Sequence, residues 1–401
     1  MTRCVQFVCL WSVVACSARV AVAADGRAGS VLAGDEQPAA RAGELIRQLG
    51  AKQFAVRQRA QRELVELGLA AKSALQAACD SHDAEIRHRA KQALASVLDI
   101  DFQMRLEAFL AEGAGPEGHG LPGWEEYRLL AGEGPLARRL FGDMQRTEHE
   151  LLEAVDDNPK RAGEVLESRC LEVGLDLAEP GAGASRASAA PPATLAAMLL
   201  TAANDEVPIS AAAGDCLYRF CQQRALEQSL LARNTGEVLR QLLAAWVVRP
   251  LAADSLTSYR NLVLALENDV KGALETATSL IEGGGAPAHY IPWAILTVAK
   301  FGGPQQRDLL EPLLNDQRNI TVPNRGGQNL DAQVRDVALA ALVHLSGQAL
   351  ADYGFAHVRL HPSSLFIPDS LGFSDPPARD RALQHWREWS AQHPADKTQP
   401  K

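Results

Sequence analysis

Through much of the chain, apolar residues return every three or four positions, the spacing of an amphipathic helix. The clearest run is Asp83-Ala-Glu-Ile-Arg-His-Arg-Ala-Lys-Gln-Ala-Leu94, and its grammar returns as Asp331-Ala-Gln-Val-Arg-Asp-Val-Ala-Leu-Ala-Ala-Leu342. Ile86, Ala90, Ala93, Leu94 and Val97 share one helical stripe, as do Val334, Ala338, Ala341, Leu342 and Leu345. Each aspartate stands where an N-cap belongs, so its side chain is expected to accept a first-turn N–H and complement the helix dipole, worth about 1 kcal/mol. The alanines on the stripe let a second helix approach closely, so each copy predicts half of a helix pair. Partner segments lie upstream, Ala70 to Cys79 for the first copy and Leu309-Leu-Glu-Pro-Leu-Leu314 for the second. A looser copy runs from Phe54 to Leu64 with Ala42 to Leu49 as its partner, and it sets Arg57 thirty positions before Arg87. Gln53 at its cap position and Glu63 in place of an alanine suit a terminal unit with a solvated outer face.

A helix containing Leu-x-Pro-Leu-Leu-x-Asp followed by Asp-x-x-Val-Arg-x-x-Ala-x-x-Ala-Leu resembles the HEAT repeat, a two-helix unit that stacks into a curved superhelix. The resemblance implies an all-α, HEAT-like helical-pair solenoid. It also implies that Asp83, Arg87, Asp331 and Arg335 are structural, because aspartate and arginine of successive units form an internal ladder in that family. Two further stretches, Leu121-Pro-Gly-Trp-Glu-Glu-Tyr-Arg128 continuing to Glu153 and the Tyr353-Gly-Phe355 region with its tryptophan-bearing final helix, resemble exported HEAT-type proteins of planctomycete bacteria.

The remaining organisation follows from breaks in the pattern. Residues 1–23 read as a signal peptide, 24–40 as a flexible lead-in, 41–100 as N-terminal HEAT-like repeats and 101–177 as a helical region. Residues 178–193, rich in Ala, Gly, Ser and Pro, form a low-complexity linker, and 194–347 a helical-repeat region with a clear unit at 305–347. Its middle helices carry no signature. Residues 348–392 make a docking segment and a capping helix on which Ala382, Leu383, Trp386 and Trp389 share a face suited to sealing the stack, and 393–401 a disordered tail. Within the last unit, Gln317 to Leu330 is an insert where a loop of a few residues would serve. Insertions in solenoids fall on one rim and often carry binding, although a tolerated loop explains this one equally well.

Composition narrows the chemistry. Aromatic residues make up only 5% of the 401-residue chain while alanine and leucine dominate, which favours helices packed through small side chains. The net charge of −9 argues against broad binding to phosphate backbones or anionic lipid, and removal of the leader takes two arginines and no acid. The leader's apolar run from Cys4 to Ala15 is too short to span a bilayer, and no later run of about 20 apolar residues exists. Val13-Val-Ala-Cys16 loosely resembles a bacterial lipobox with valine in place of leucine, so a structural lipoprotein anchored at Cys16 is the alternative to cleavage after Ala23. Of seven cysteines, Cys79, Cys170, Cys216 and Cys221 lie beyond the leader, and no Cys-x-x-Cys makes a zinc site. Cys216 and Cys221 stand about 140° apart around a predicted helix, against a mutual disulfide, whereas export leaves a bridge at Cys79 or Cys170 open.

No catalytic residue, cofactor or metal ligand is assigned. His357 and His361 have helical metal-ligand spacing, but Pro362 breaks the helix and no glutamate lies between them. Gly-x-Ser-x-Gly and P-loop motifs are missing as well. The sequence therefore predicts an exported scaffold in a bacterial envelope that binds a protein partner. Arg57, Arg59 and Arg62 in the basic N-terminal part, and Arg318, Asn324 and Arg325 in the insert, are the candidate partner contacts. A rival reading is an enzyme accessory or a lyase- or isomerase-like repeat protein, which requires a concave pocket of convergent polar groups with shifted pKa values.

Overall fold

The computed structural model describes residues 36–111, 115, 117–178, 191–222, 229–230, 232, 235–249, 255–320 and 331–393. The described chain is predominantly helical, and no described helix is long and apolar enough to cross a membrane. The signal-peptide and lipobox readings, the core of the linker and most of the insert fall outside these residues. The chain divides into two compact units, Met1–Gln103 and Met104–Lys401.

In the first unit, α1 (Glu36–Leu49) packs on α2 (Phe54–Glu66) and α3 (Lys72–Ala78), and α4 (Ala84–Leu110) follows, its last turns belonging to the second unit. Leu45, Leu49, Leu64, Leu75 and Val97 fill one core, with Ala42, Ala60, Ala71, Ala90 and Ala93 at the positions of close approach. Each leucine so buried contributes about 1.5–3 kcal/mol over leaving it in water. Asp83 caps α4 as its sequence position predicts: Oδ1 accepts from the N–H of Glu85 at 2.8 Å and of Ile86 at 3.3 Å. Gln53, its counterpart before α2, has extended cap backbone but makes no side-chain cap bond.

The arginines also repeat, in a form the family resemblance does not imply. Arg57 donates to the carbonyls of Ala51 (2.8 Å) and Lys52 (3.0 Å), and Arg87 to that of Ser81 (2.6 Å), so each clamps the loop before its own helix. Asp83 serves its own helix rather than an arginine ladder. Glu85 makes the cross-link between helices, 2.9 Å from Arg57 and 2.7 Å from Arg89, while Arg89 also donates to Gln61 on α2 at 2.9 Å. The missing cap gives a direct test in urea denaturation followed at a first-unit reporter. Gln53→Asp should stabilise by about 1 kcal/mol and Asp83→Ala should cost about as much.

The second unit continues with α5 (Trp124–Ala131), α6 (Pro135–Thr147), α7 (His149–Asp157) and α8 (Pro159–Ala178), and an aromatic knot ties α5 and α6 to the end of α4. Phe109 meets Trp124 edge-on at 4.8 Å, Phe141 lies 5.1 Å from Trp124 and 4.9 Å from Tyr127, and the Arg138 guanidinium covers Phe109 at 3.9 Å. Gly118 belongs to the knot because a Cβ there would lie 2.3 Å from the Trp124 ring.

Then come α9 (Pro192–Ala203), α10 (Ala211–Cys221), α11 (Gly236–Val248), α12 (Ser255–Glu267), α13 (Ala273–Glu282) and α14 (Ile291–Phe301). Next, α15 (Arg307–Leu310) runs directly into a 3-10 turn, Glu311–Asn315, ahead of α16 (Val334–Leu345). The helices fall into two rows. Each of α8, α10, α12, α14 and α16 packs on the next of that row, α9 packs on α11, and α11, α13 and the Glu311–Asn315 turn each pack on the row-one helix that follows in the chain.

Burial goes further than a single stripe in several of these helices, α12 among them, where residues 261–266 are buried in succession. Ala193 to Ala202 of α9 is buried without a break, Ile291 to Ala299 of α14 with only Trp293 part-exposed, and Asp336 to Val343 of α16 entirely, whereas Leu345 is only half-buried. The cover over α14 and α16 comes from the C-terminal segment. A 3-10 turn (Leu350–Tyr353), the antiparallel pair β1 (Leu360–His361) and β2 (Leu365–Phe366), a second turn (Pro368–Leu371) and α17 (Pro376–Gln392) lie against them. Tyr353, Phe355, Phe366, Leu371, Phe373 and Trp386 are its buried anchors.

One cap differs from the sequence reading. Asp331 does not cap α16: Gln333 does, in a capping box with Asp336, because the chain stays extended through residue 333, where it bridges to Asn319. Asp331 instead bridges to Phe373 and accepts from Asn319 (3.0 Å) and Gln333 (3.0 Å). That geometry frees Asp336 for Arg379 of α17, which donates to Asp336 Oδ1 at 2.8 Å and Oδ2 at 3.1 Å and to the Asp331 carbonyl. Asp336 is fully buried and Arg379 only 3% exposed, so burial raises the Asp336 carboxyl while Arg379 and the Gln333 N–H oppose the rise.

Removing one partner of a buried pair strands the other charge. Arg379→Ala should therefore lose about 3–5 kcal/mol in urea unfolding, while Arg381→Ala, exposed on the same helix, should change stability by less than about 0.5 kcal/mol.

Candidate functional site: an aromatic face on three helices

On α10 the buried stripe is Ala213, Cys216, Leu217, Phe220 and Cys221, so Asp215, Tyr218, Arg219 and Gln222 turn outward. On α12, Tyr259 and Glu267 lie two turns apart, and at the start of α14 Trp293 follows Tyr290 by three residues. Because α10 packs on α12 and α12 on α14, these outward residues meet. Tyr259 and Tyr290 stack at 4.6 Å with their rings 14° from parallel, and Trp293 closes on Tyr259 at 6.1 Å. His289 meets Tyr290 at 4.1 Å, and the Arg260 guanidinium sits 5.2 Å from the Tyr218 ring. Asp215 orients both flanking arginines, at 2.7 Å from Arg260 and 2.8 Å from Arg219.

The face is partly dry. Burial, then the neighbouring Tyr259 hydroxyl, push Tyr218 up, and burial, then Tyr290, do the same to Tyr259, with Arg260 opposing both. Glu267 at its edge is likewise raised by burial, against the pull of Gln222 (2.8 Å) and the charge of His361. Among the described residues no protein group hydrogen-bonds the hydroxyls of Tyr218, Tyr259 or Tyr290. They are half-buried rings with their polar ends in water.

Two surface grooves offer less. One, of about 460 Å³, runs past His149, Glu150, Glu164 and Glu172, but its deep carboxylate, Glu148, already accepts from Arg169 twice at 2.9 Å and from Thr194 at 2.6 Å. The other, of about 530 Å³, is a shallow trough along α17 between Arg335, Asp380, Arg381 and Arg387. Among the described residues no three His, Cys, Asp or Glu side chains are grouped to hold a metal, and His361 lies in β1 rather than on a helix.

The residues singled out from sequence are dispersed. Arg57 spends its guanidinium on internal carbonyls and Glu85, whereas Arg59 and Arg62 are exposed, Arg59 3.9 Å from Glu63. Arg318 is held by Asp316 (2.6 Å) and donates to the Ala286 carbonyl (2.9 Å), fixing the start of the insert. The flanks of the insert pair as an antiparallel stem, Ile320 N–H to the Ala332 carbonyl and Val334 N–H to the Arg318 carbonyl. Asn324 and Arg325 lie outside the described residues. Arg335 donates to Gln333 at 2.7 Å.

The sequence reading passed over the aromatic face because its helices carry no repeat signature. A signal was present: the chain has five tyrosines, and Tyr218, Tyr259 and Tyr290 are spaced at helix-pair intervals. No protein-family model matches the chain, and no curated protein matches it.

Proposed function

We propose that this protein is a HEAT-like helical-repeat scaffold that binds a protein partner, and that the face built from Tyr218, Tyr259, Arg260, Tyr290 and Trp293 is its binding surface. The observation that carries the reading is the aromatic cluster of Tyr259, Tyr290 and Trp293 on α12 and α14, joined to Tyr218 of α10 through Arg260, which Asp215 presets. Tyr and Trp supply large contact area at little loss of conformational freedom, and with Arg they are enriched among the residues that dominate interface energetics. Free tyrosine hydroxyls suit a partner segment that brings apolar side chains together with backbone acceptors. Support for the repeat architecture comes from the row packing of α8 to α16 and from Arg57 and Arg87 making the same bond thirty residues apart. The leader reading places the scaffold in a bacterial envelope, where Arg59, Arg62 and the insert are secondary contacts.

Photo-crosslinking in the producing cells tests the surface. With p-benzoylphenylalanine in place of Tyr259 or Tyr290, discrete adducts of one partner should form, and Arg260→Ala should reduce them about tenfold, the loss of a typical hot-spot side chain. The same group at Leu129, 78% exposed on α5, should give none. Equal labelling at Leu129, or none at either tyrosine, rejects the assignment.

A further inference from the structure

Two buried thiols face each other between α8 and α10. Cys216 Sγ lies 3.1 Å from the carbonyl oxygen of Cys170 and donates to it, and Cys170 Sγ points back at the Ala213 carbonyl, one turn before Cys216, at 4.0 Å. Each sulfur thus reaches the backbone that carries the other. Cys170 is 1% exposed and Cys216 8%, and both are free. The other two described cysteines make no such pair: Cys79 belongs to the first unit's core, and Cys221 is buried further along α10.

We propose that Cys170 and Cys216 form a reversible disulfide that fastens α8 to α10, with Cys216 as the attacking sulfur and Cys170 as the resolving one. The oxidant is a disulfide, R–S–S–R, either a small molecule or a protein dithiol carrier in its oxidised form. The Cys216 thiolate attacks one sulfur of R–S–S–R, forming a mixed disulfide and expelling one thiolate, R–S⁻. Cys170 then gives up its proton and attacks Cys216 Sγ, expelling the second. Both expelled thiolates are protonated by the two protons the cysteines have lost, so two S–H groups are oxidised and one disulfide is reduced to two thiols.

The division of roles follows from the surroundings. Cys216 is the more exposed of the two, and the neighbouring Cys170 thiol lowers its thiol, burial opposes this, and Arg219 adds a further lowering. The neighbouring Cys216 thiol, followed by burial, raises Cys170. The contact of Cys216 Sγ with the Cys170 carbonyl makes the two residues close neighbours where α8 packs on α10, the proximity a bridge requires. Because Asp215 and Tyr218 flank Cys216, the bridge would also fix the first helix of the aromatic face.

The full-length protein can be incubated with oxidised glutathione under denaturant-free conditions, alkylated, and digested with trypsin. Cleavage after Arg169, Arg186 and Arg219 places Cys170 alone on Cys170–Arg186 and Cys216 alone on Ala187–Arg219, so a linked pair of these peptides is diagnostic. The expected result is that this linked species dominates, disappears on reduction with dithiothreitol and survives Cys221→Ser. Its formation should also raise the melting temperature. With Cys170→Ser, glutathione should remain trapped on Cys216 as the mixed disulfide, whereas with Cys216→Ser the Cys170 peptide should stay unmodified. The proposal is overturned if the wild-type Cys170 and Cys216 peptides are recovered separately alkylated, or if either is linked mainly to another cysteine.

Discussion

A helix that is apolar on every side has to be covered on every side. That constraint governs the second unit, where α9, α14 and α16 bury nearly all their residues. For α16 the neighbouring helices supply only part of the cover, and the C-terminal segment supplies the rest through Phe366, Leu371, Phe373 and Trp386. Arg379 is the bolt that holds this cover down, because it reaches both Asp336 at the start of α16 and the backbone of Asp331. A buried pair of this kind is a weak net stabiliser compared with apolar packing, but it admits one register of α17 on α16, since any other leaves two charges without partners.

The same constraint locates the surface assigned to binding. Along the row from α10 to α16, the C-terminal segment covers α16 and reaches α14 through β2, and it is not among the principal neighbours of α10 and α12. At that margin the exposed positions are neither fully apolar nor simply charged. They are tyrosines, a tryptophan and arginines, groups that tolerate water when free and contribute large contact areas when covered. The raised Tyr218, Tyr259 and Glu267 pKa values express the same half-dry state.

Much of the helical architecture was legible in the residues, because apolar period and caps are local signals. Asp83 capped α4 as its position implied, and the described part of the region read from sequence as helical repeat, 194–347, is predominantly helical. What depended on distant partners was not legible. The displacement of the α16 cap from Asp331 to Gln333 follows from strand-like bridges to Asn319 and Phe373, which no local rule anticipates. Nothing local marks Arg379, on a mostly polar helix, as buried. Its burial is set by where Asp336 lies, 43 residues away. The aromatic face was hidden for the same reason: it exists only once α10, α12 and α14 lie side by side.

The central claim is that Tyr218, Tyr259, Tyr290 and Trp293 form one surface that a partner covers. Hydroxyl-radical footprinting of these four residues, on the isolated protein and in the cells that make it, tests that claim most directly. The account predicts oxidation of all four in isolation and concerted protection in cells, with the exposed Leu129 oxidised equally in both. Equal oxidation of the four aromatic residues in the two settings would contradict it.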